Sequence, residues 1–168
     1  MENIIMTKTK SVLSFLPWLL GMEIISMIIG MLASPNPSHP YIRDWYMGLA
    51  KAPLNPPSWI FPVVWPILYG LIAFALWRVW TRTAPQRPRS YFLFALGHMI
   101  LNWAWSFVFF VNQNVSLAFY WLLAVLFSGL ALAMWTKHFD RLAAYALLPY
   151  LLWLCFAGYL NGYIMLVN

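Results

Sequence analysis

The sequence predicts an all-α integral membrane bundle of five transmembrane helices, a single domain over residues 1–168. Three observations predict it. Only 8% of the residues are charged and the mean hydropathy is +0.71, whereas a soluble domain carries about a quarter charged residues, so this chain lacks the polar surface to wet a globule. The apolar residues fall into five runs, each near the ~20 residues that cross the hydrocarbon. These runs are too long for barrel strands, and in lipid every backbone group must pair internally, so they are helices.

The first helix is predicted over residues 11–33. It follows Lys8 and Lys10, is too long for the apolar core of a signal peptide and lacks a persuasive cleavage site. Glu23 sits near its centre, where an ionisable group is costly; it is either functional or a neutral acid bonded to a neighbour, with His98 a candidate at similar depth. Ser26, Gly30 and Ser34 are small residues that would permit a homodimer. Residues 34–55 form the one long connection. Its prolines and its aromatics Tyr41, Trp45 and Tyr46 favour a packed lid over a linker, with Tyr46 above the Trp65 face.

The second helix is predicted over residues 57–80. Pro53, Pro56 and Pro57 exclude a helix interior before it. Asn55 is the expected cap, with Pro56 and Pro57 in the first turn and Lys51 just outside. Phe61, Trp65, Tyr69 and Ile72 share one face, which serves either packing or a ligand. The third helix is predicted over residues 90–111. His98, Asn102, Trp105, Ser106 and Phe109 form one stripe, read either as pocket lining or as interhelical glue. The fourth is predicted over residues 115–137 and the fifth over residues 142–167. On the fifth, Trp153, Ala157 and Asn161 share a face, and Gly158 with Gly162 offers a close helix contact.

Charge orders the ends. With five spans, Lys8, Lys10, Arg78, Arg82, Arg87, Arg89, Lys137 and Arg141 fall on one side, eight of the ten basic residues; Arg43 and Lys51 fall on the other. The positive-inside rule puts the N-terminus in the cytoplasm, if the chain is bacterial, and the C-terminus outside. The net charge of +6 belongs to membrane flanks and does not indicate nucleic acid. On this topology Trp65, Asn102 and Trp105 lie within ~9–14 Å of the outer face and Ala157 within ~15 Å, all beneath the lid.

Cys155 is the only cysteine, which excludes an intramolecular disulfide. His39, His98 and His138 are not at metal-ligand spacing, so no metal site is expected. No Ser/His/Asp arrangement, carboxylate pair or phosphate loop is evident, which argues against hydrolytic and phosphoryl-transfer chemistry.

Three ordered motifs carry a resemblance: Tyr46-x-x-Leu49-x-Lys51 with Asn55-Pro-Pro and Phe61-x-x-Val64-Trp65-x-x-Leu68-Tyr69; Leu101-Asn102-x-x-Trp105-Ser106-x-x-Phe109-Phe110; and Pro149-Tyr150-x-x-Trp153-x-x-Phe156-Ala157-x-x-Leu160-Asn161. From Tyr46 to the C-terminus the chain resembles the translocator protein family, also called tryptophan-rich sensory protein or peripheral benzodiazepine receptor. The resemblance implies a pocket for porphyrins and benzodiazepine-site ligands, lined by Tyr46, Trp65, Tyr69, Asn102, Trp105, Ser106, Trp153, Phe156 and Ala157. Lys51, Pro53, Asn55, Pro56 and Pro57 would form the lid. The family usually reads Lys-Pro-x-Trp there; this chain reads Lys51-Ala52-Pro53-Leu54, without the loop aromatic. After Tyr163 it reads Ile-Met-Leu-Val-Asn, so the family's sterol motif lacks its basic residue.

The expected function is that of a membrane receptor or carrier for tetrapyrroles in an aromatic slot, with a sensory or regulatory role. One alternative is light- and oxygen-dependent porphyrin degradation through Trp65 and Trp153; another is sterol or lipid binding or transport. No resident cofactor is required, since the porphyrin is ligand or substrate, and Lys51 or Arg43 would suit its carboxylates. The topology has a direct check. A C-terminal reporter that works only outside the cytoplasm is expected to be active, and activity from a cytoplasm-only reporter would refute the orientation.

Overall fold

The computed structural model describes residues 2–168, with side chains described from Leu13 onward. Its helices are α1 (Glu2–Leu32), α2 (Pro40–Gly48), α3 (Ile60–Arg82), α4 (Arg89–Ser106), α5 (Val115–Phe139), α6 (Arg141–Ala146) and α7 (Leu148–Val167); α4 runs on into a π-helical turn, Phe107–Val111. Five stretches are long and apolar enough to cross a membrane: Leu13–Leu32, Ile60–Arg82, Arg89–Val111, Val115–Phe139 and Arg141–Val167. The fold is the predicted all-α bundle of five spans, with no strand among the described residues. The helices are apolar on most sides because one side meets the core and the others meet lipid. On α1, for example, Leu13, Leu20, Ile24, Met27 and Met31 are exposed.

Local chemistry moves several predicted boundaries. Asn55 does not cap α3. Its backbone N–H closes a turn onto Ala52 O and its side chain donates to Pro56 O, while α3 starts at Ile60 with no side-chain cap. Pro56 and Pro57 therefore precede the helix and are not in its first turn. Pro57 disfavours the helical region for Pro56, which delays the start. The third span ends as a wider turn in which Asn112 N–H bonds Phe107 O. Gln113 then reverses the chain at φ 52°, a left-handed conformation uncommon outside glycine. The fifth span breaks at Leu147 because Pro149 has no N–H to give Tyr145 O. The lid contains the short helix α2, opened by Pro40.

The helices α1 and α3 pair, and α5 pairs with both α4 and α7. Two glycines allow the closest approaches. A Cβ on Gly129 would lie 3.1 Å from Leu151 and 3.2 Å from His98, and one on Gly162 would lie 3.0 Å from the Phe119 ring. The predicted glycine pair on α7 thus acts through Gly162; Gly158 has nothing within 4 Å. On α1, the Ser26 hydroxyl accepts from Trp103 Nε1 at 3.0 Å and Ser34 Oγ donates to Gly30 O, so both hydroxyls are engaged within the chain.

Contacts also sort the loops by end. The Tyr41 hydroxyl meets Gln113, and the Asn168 side chain bonds both the N–H and the C=O of Ala50. The lid, the α4–α5 turn and residue 168 therefore share one end. At the other end Arg78 Nε and Nη2 donate to Asp140 Oδ2 at 2.9 and 2.6 Å, with Arg82 at 3.3 Å. Arg78, Arg82 and Arg141 therefore flank this end. The Lys8 and Lys10 side chains, which enter the charge argument, lie outside the described residues.

Asp140 is the most tightly held charge. Its side chain is 4% exposed, and Oδ1 caps α6 by accepting from Ala143 N–H at 3.0 Å. Burial alone would raise its pKa, but the Arg78 hydrogen bonds, the Ala143 N–H and the two guanidinium charges outweigh burial and hold it below the ordinary 3.8. A carboxyl depressed on folding stabilises above its unfolded pKa, and this contribution is lost as pH falls below that value. Asp140→Asn is expected to destabilise by about 3 kcal/mol at neutral pH, since it strands Arg78. Thermal unfolding in detergent checks this, and a melting temperature equal to wild type at pH 7 would contradict it.

Candidate functional site

The predicted face of α3 turns inward, and its fourfold spacing sets Phe61, Trp65 and Tyr69 above one another. Trp65 stacks on Tyr69 with centroids 5.3 Å apart and planes at 25°. Trp153 of α7 meets Trp65 edge-on at 6.5 Å and 87°, touches Phe61 at 6.0 Å, and lies 5.5 Å from Phe156. Ala157, one turn on, packs against the same core. Four residues predicted from two distant segments, Trp65, Tyr69, Trp153 and Phe156, thus form one aromatic group. One polar atom in it is unsatisfied: Trp153 Nε1 is buried and has no hydrogen-bond partner. An unpaired buried donor costs about 1–3 kcal/mol, so such a group calls for an explanation.

Beneath the rings runs a chain of buried hydrogen bonds. Asn102 Nδ2 donates to the Tyr69 hydroxyl at 3.1 Å, and Tyr150 O–H donates to Asn102 Oδ1 at 3.0 Å. The Tyr150 hydroxyl also bonds His98 Nε2 at 2.9 Å. The other ring nitrogen, Nδ1, lies 2.8 Å from Ser128 Oγ, whose hydroxyl also lies 3.0 Å from Val125 O. The chain joins α3, α4, α5 and α7. His98 and Tyr150 are 2% and 1% exposed. Asn102 is therefore occupied at both ends of its amide. His98 is not the partner of Glu23; the Glu23 carboxylate instead lies about 4.0 Å from where a Cβ on Gly70 would sit.

The remaining predicted residues gather under the lid. Tyr46 does not sit over Trp65. It packs edge-on against Phe109 at 6.3 Å and Phe110 at 5.5 Å, and Trp45 joins Phe109 at 5.7 Å. The reason is the π-helical turn, which rotates both phenylalanines toward α2. Trp105 links the two groups. It stacks on Phe109 at 5.0 Å, while its Nε1 donates to Ala118 O at 3.0 Å and lies 3.3 Å from Asn161 Oδ1. Ser106 is half-buried where the π turn begins and takes no part in the buried network.

The two cations expected to receive ligand carboxylates are engaged. Lys51 Nζ caps the C-terminal end of α2, donating to Tyr46 O at 2.8 Å and Leu49 O at 3.2 Å, and lies 4.6 Å from the Tyr46 ring centroid. Burial pushes the Lys51 ammonium down and the Tyr46 phenol up from their ordinary values. Arg43 pairs with Asp44 at 2.9 Å. Pro53 sits inside the turn closed by Asn55 N–H on Ala52 O. Leu54, where the resemblance leads one to expect an aromatic, is exposed.

Two cavities are open. One of about 430 Å³ lies below the lid among Trp45, Leu49, Gln113, Ile164 and Asn168. One of about 400 Å³ lies between α1, α3 and α4. Neither is lined by Trp65, Tyr69 or Trp153. Cys155 is exposed, and no group of three or more metal-ligating side chains occurs among the described residues.

Sequence reasoning missed Tyr150, Ser128 and Gly129. Tyr150 lies in the motif Pro149-Tyr150 but carries no polar neighbour in sequence to mark it. Its removal tests the network. Tyr150→Phe is expected to lose about 1–3 kcal/mol, because Asn102 Oδ1 and His98 Nε2 lose their shared partner. The exposed Tyr159→Phe should change nothing. Equal stability of Tyr150→Phe and wild type in thermal unfolding would contradict the assignment.

Comparison with known proteins agrees with this architecture. The sequence model of the TspO/MBR family matches residues 21–167. The chain is 33% identical over 129 residues to the Tryptophan-rich protein TspO of Bacillus cereus, covering 77% of this chain and 84% of that one. It is 35% identical over 148 residues to the Tryptophan-rich protein TspO of Chlorobaculum tepidum, covering 83% and 86%. It is 32% identical over 149 residues to the Translocator protein of Bos taurus, covering 86% and 88%. With five spans, and with the family's sequence model matching residues 21–167, the chain belongs to the TspO/MBR family.

Proposed function

We propose that this membrane protein is a receptor or carrier that binds tetrapyrroles between α3 and α7, with a sensory or regulatory role. The observation that carries the reading is the unpaired Trp153 Nε1–H, buried among Phe61, Trp65 and Phe156. A planar macrocycle offers what this group lacks. Its faces stack on Trp65, and its ring nitrogens or carboxylates accept the indole proton. Asn102 and Tyr69 form the polar floor, bonded to each other and to Tyr150, so they hold the walls in register. Binding offsets the cost of turning Trp153 away from Trp65 by satisfying its donor.

In this reading the lid is a gate. It is stiffened by Lys51 on the α2 carbonyls and fastened by Asn168 on Ala50, and Tyr46 closes it on the π turn. The lid end faces outward and the N-terminus is cytoplasmic. The protein needs no resident cofactor, and a homodimer would form through lipid-facing surfaces.

The edge-on contact of two indoles favours a second reading, light-dependent degradation of bound porphyrin with molecular oxygen as the oxidant. An indole beside an excited porphyrin can exchange an electron with it. The pigment carries the photochemistry, while the protein orients it and excludes water. Dark titration with protoporphyrin and bleaching under fixed light separate the two. Trp65→Phe and Trp153→Phe keep most of the stacking area, so binding should stay within about tenfold, or ~1.4 kcal/mol. Bleaching in both variants should nearly stop if the indoles act chemically. Bleaching at the wild-type rate leaves the receptor reading alone, and failure of wild type to bind in the dark refutes both.

A further inference from the structure

The cavity of about 400 Å³ between α1, α3 and α4 is apart from the aromatic site and has the form of a lipid slot. Its walls are Trp18, Met22, Trp80, Phe92, Met99 and Trp103. Along α4 it runs from Phe92 to Trp103, a rise of ~16 Å at 1.5 Å per residue. That matches one leaflet, half of a hydrocarbon core about 30 Å thick. The slot is open to the side, since Leu96 and Ile25 on its rim are exposed. Its deep end is closed where Trp103 Nε1 bonds Ser26.

The other end lies at the basic face. There the Arg87 guanidinium rests 3.8 Å from the centroid of Trp80, a wall residue of the slot. The ring fixes the cation at the mouth by cation–π attraction. No carboxylate among the described residues pairs with Arg87, whereas Arg78 and Arg82 are held by Asp140. Arg89 stands beside it at the start of α4, exposed. A groove one leaflet deep, apolar along its length and headed by an uncommitted guanidinium, has the charge pattern of a lipid with one anionic head and an extended chain.

We propose that this groove binds an anionic glycerophospholipid from the leaflet at the basic end, with one acyl chain between α1 and α4 and its phosphate on Arg87. Arginine suits a phosphodiester because its fork donates two hydrogen bonds at once. The chain covers the seam where α1 meets α4, a contact much smaller than that of α1 with α3, so the lipid acts as a further wall of the bundle.

Native mass spectrometry tests this. The full chain is reconstituted with equal phosphatidylglycerol and phosphatidylcholine, then extracted in mild detergent. Wild type is expected to retain one phosphatidylglycerol in preference to phosphatidylcholine. Arg87→Gln should lower that retention at least fivefold. Leu96→Trp fills the rim without touching a charge and should lower it as much. Lys137→Gln, an exposed cation outside the groove, should leave it unchanged. Equal retention of both lipids by wild type, or full retention by Arg87→Gln, overturns the proposal. So does an equal loss in Lys137→Gln, which marks diffuse surface attraction. A lipid-free dimer with Ile25→Cys cross-linked across two copies also overturns it, since the groove then receives a second chain.

Discussion

The structure depends on one constraint, that lipid offers no hydrogen bonds, so every polar group within the spans must find its partner in the protein. The chain meets this with the relay Ser128–His98–Tyr150–Asn102–Tyr69. Its links join α4 to α5, to α7 twice and to α3. Apolar packing alone gives helices in lipid little preference for one rotation over another, because the tails are as apolar as leucine. A directional network does give that preference. It fixes which faces of α3 and α7 look inward, and hence that Trp65 and Trp153 meet. Gly129 makes the geometry reachable by letting α5 approach the His98 and Tyr150 rings.

Against that background two features stand out. Trp153 Nε1 is the buried indole nitrogen without a partner among the described residues, whereas Trp103, Trp105 and Trp121 donate to Ser26, Ala118 and Leu101. Asp140 gathers two arginines at the opposite end, where it also opens α6. This pins the α5–α6 corner to the end of α3 and so sets the height of α7. Charge at one end and hydrogen bonds in the middle together hold the aromatic walls that the site uses.

Much of this was legible in the sequence. Span number and helical class follow from run length and the scarcity of charge. The inward face of α3 follows from the spacing of Phe61, Trp65, Tyr69 and Ile72; the last three pack in the core and Phe61 meets Trp153. The failures share a cause. Asn55 looked like a cap because its residue type suits one, but consecutive prolines moved the helix start. Tyr46 looked close to Trp65 because depth along a helix is readable while azimuth is not, and the π turn changed the azimuth. Lys51 and Arg43 looked free because the carbonyls that Lys51 bonds leave no mark in a charge count, and the count does not say that Asp44 pairs with Arg43. Tyr150 and Ser128 were missed because a buried hydrogen bond between distant helices has no local signature.

The central claim is that the Trp153 indole proton awaits an acceptor on a flat ligand. Nitrogen-15 labelling of the indoles tests it most directly, with the Trp153 resonance identified by its loss in Trp153→Phe. On adding protoporphyrin in the dark, the Trp153 Nε1–H signal should move downfield as it gains a hydrogen bond, while that of Trp121, bonded to a backbone carbonyl, stays in place. Saturating porphyrin binding with the Trp153 signal unmoved would contradict the account.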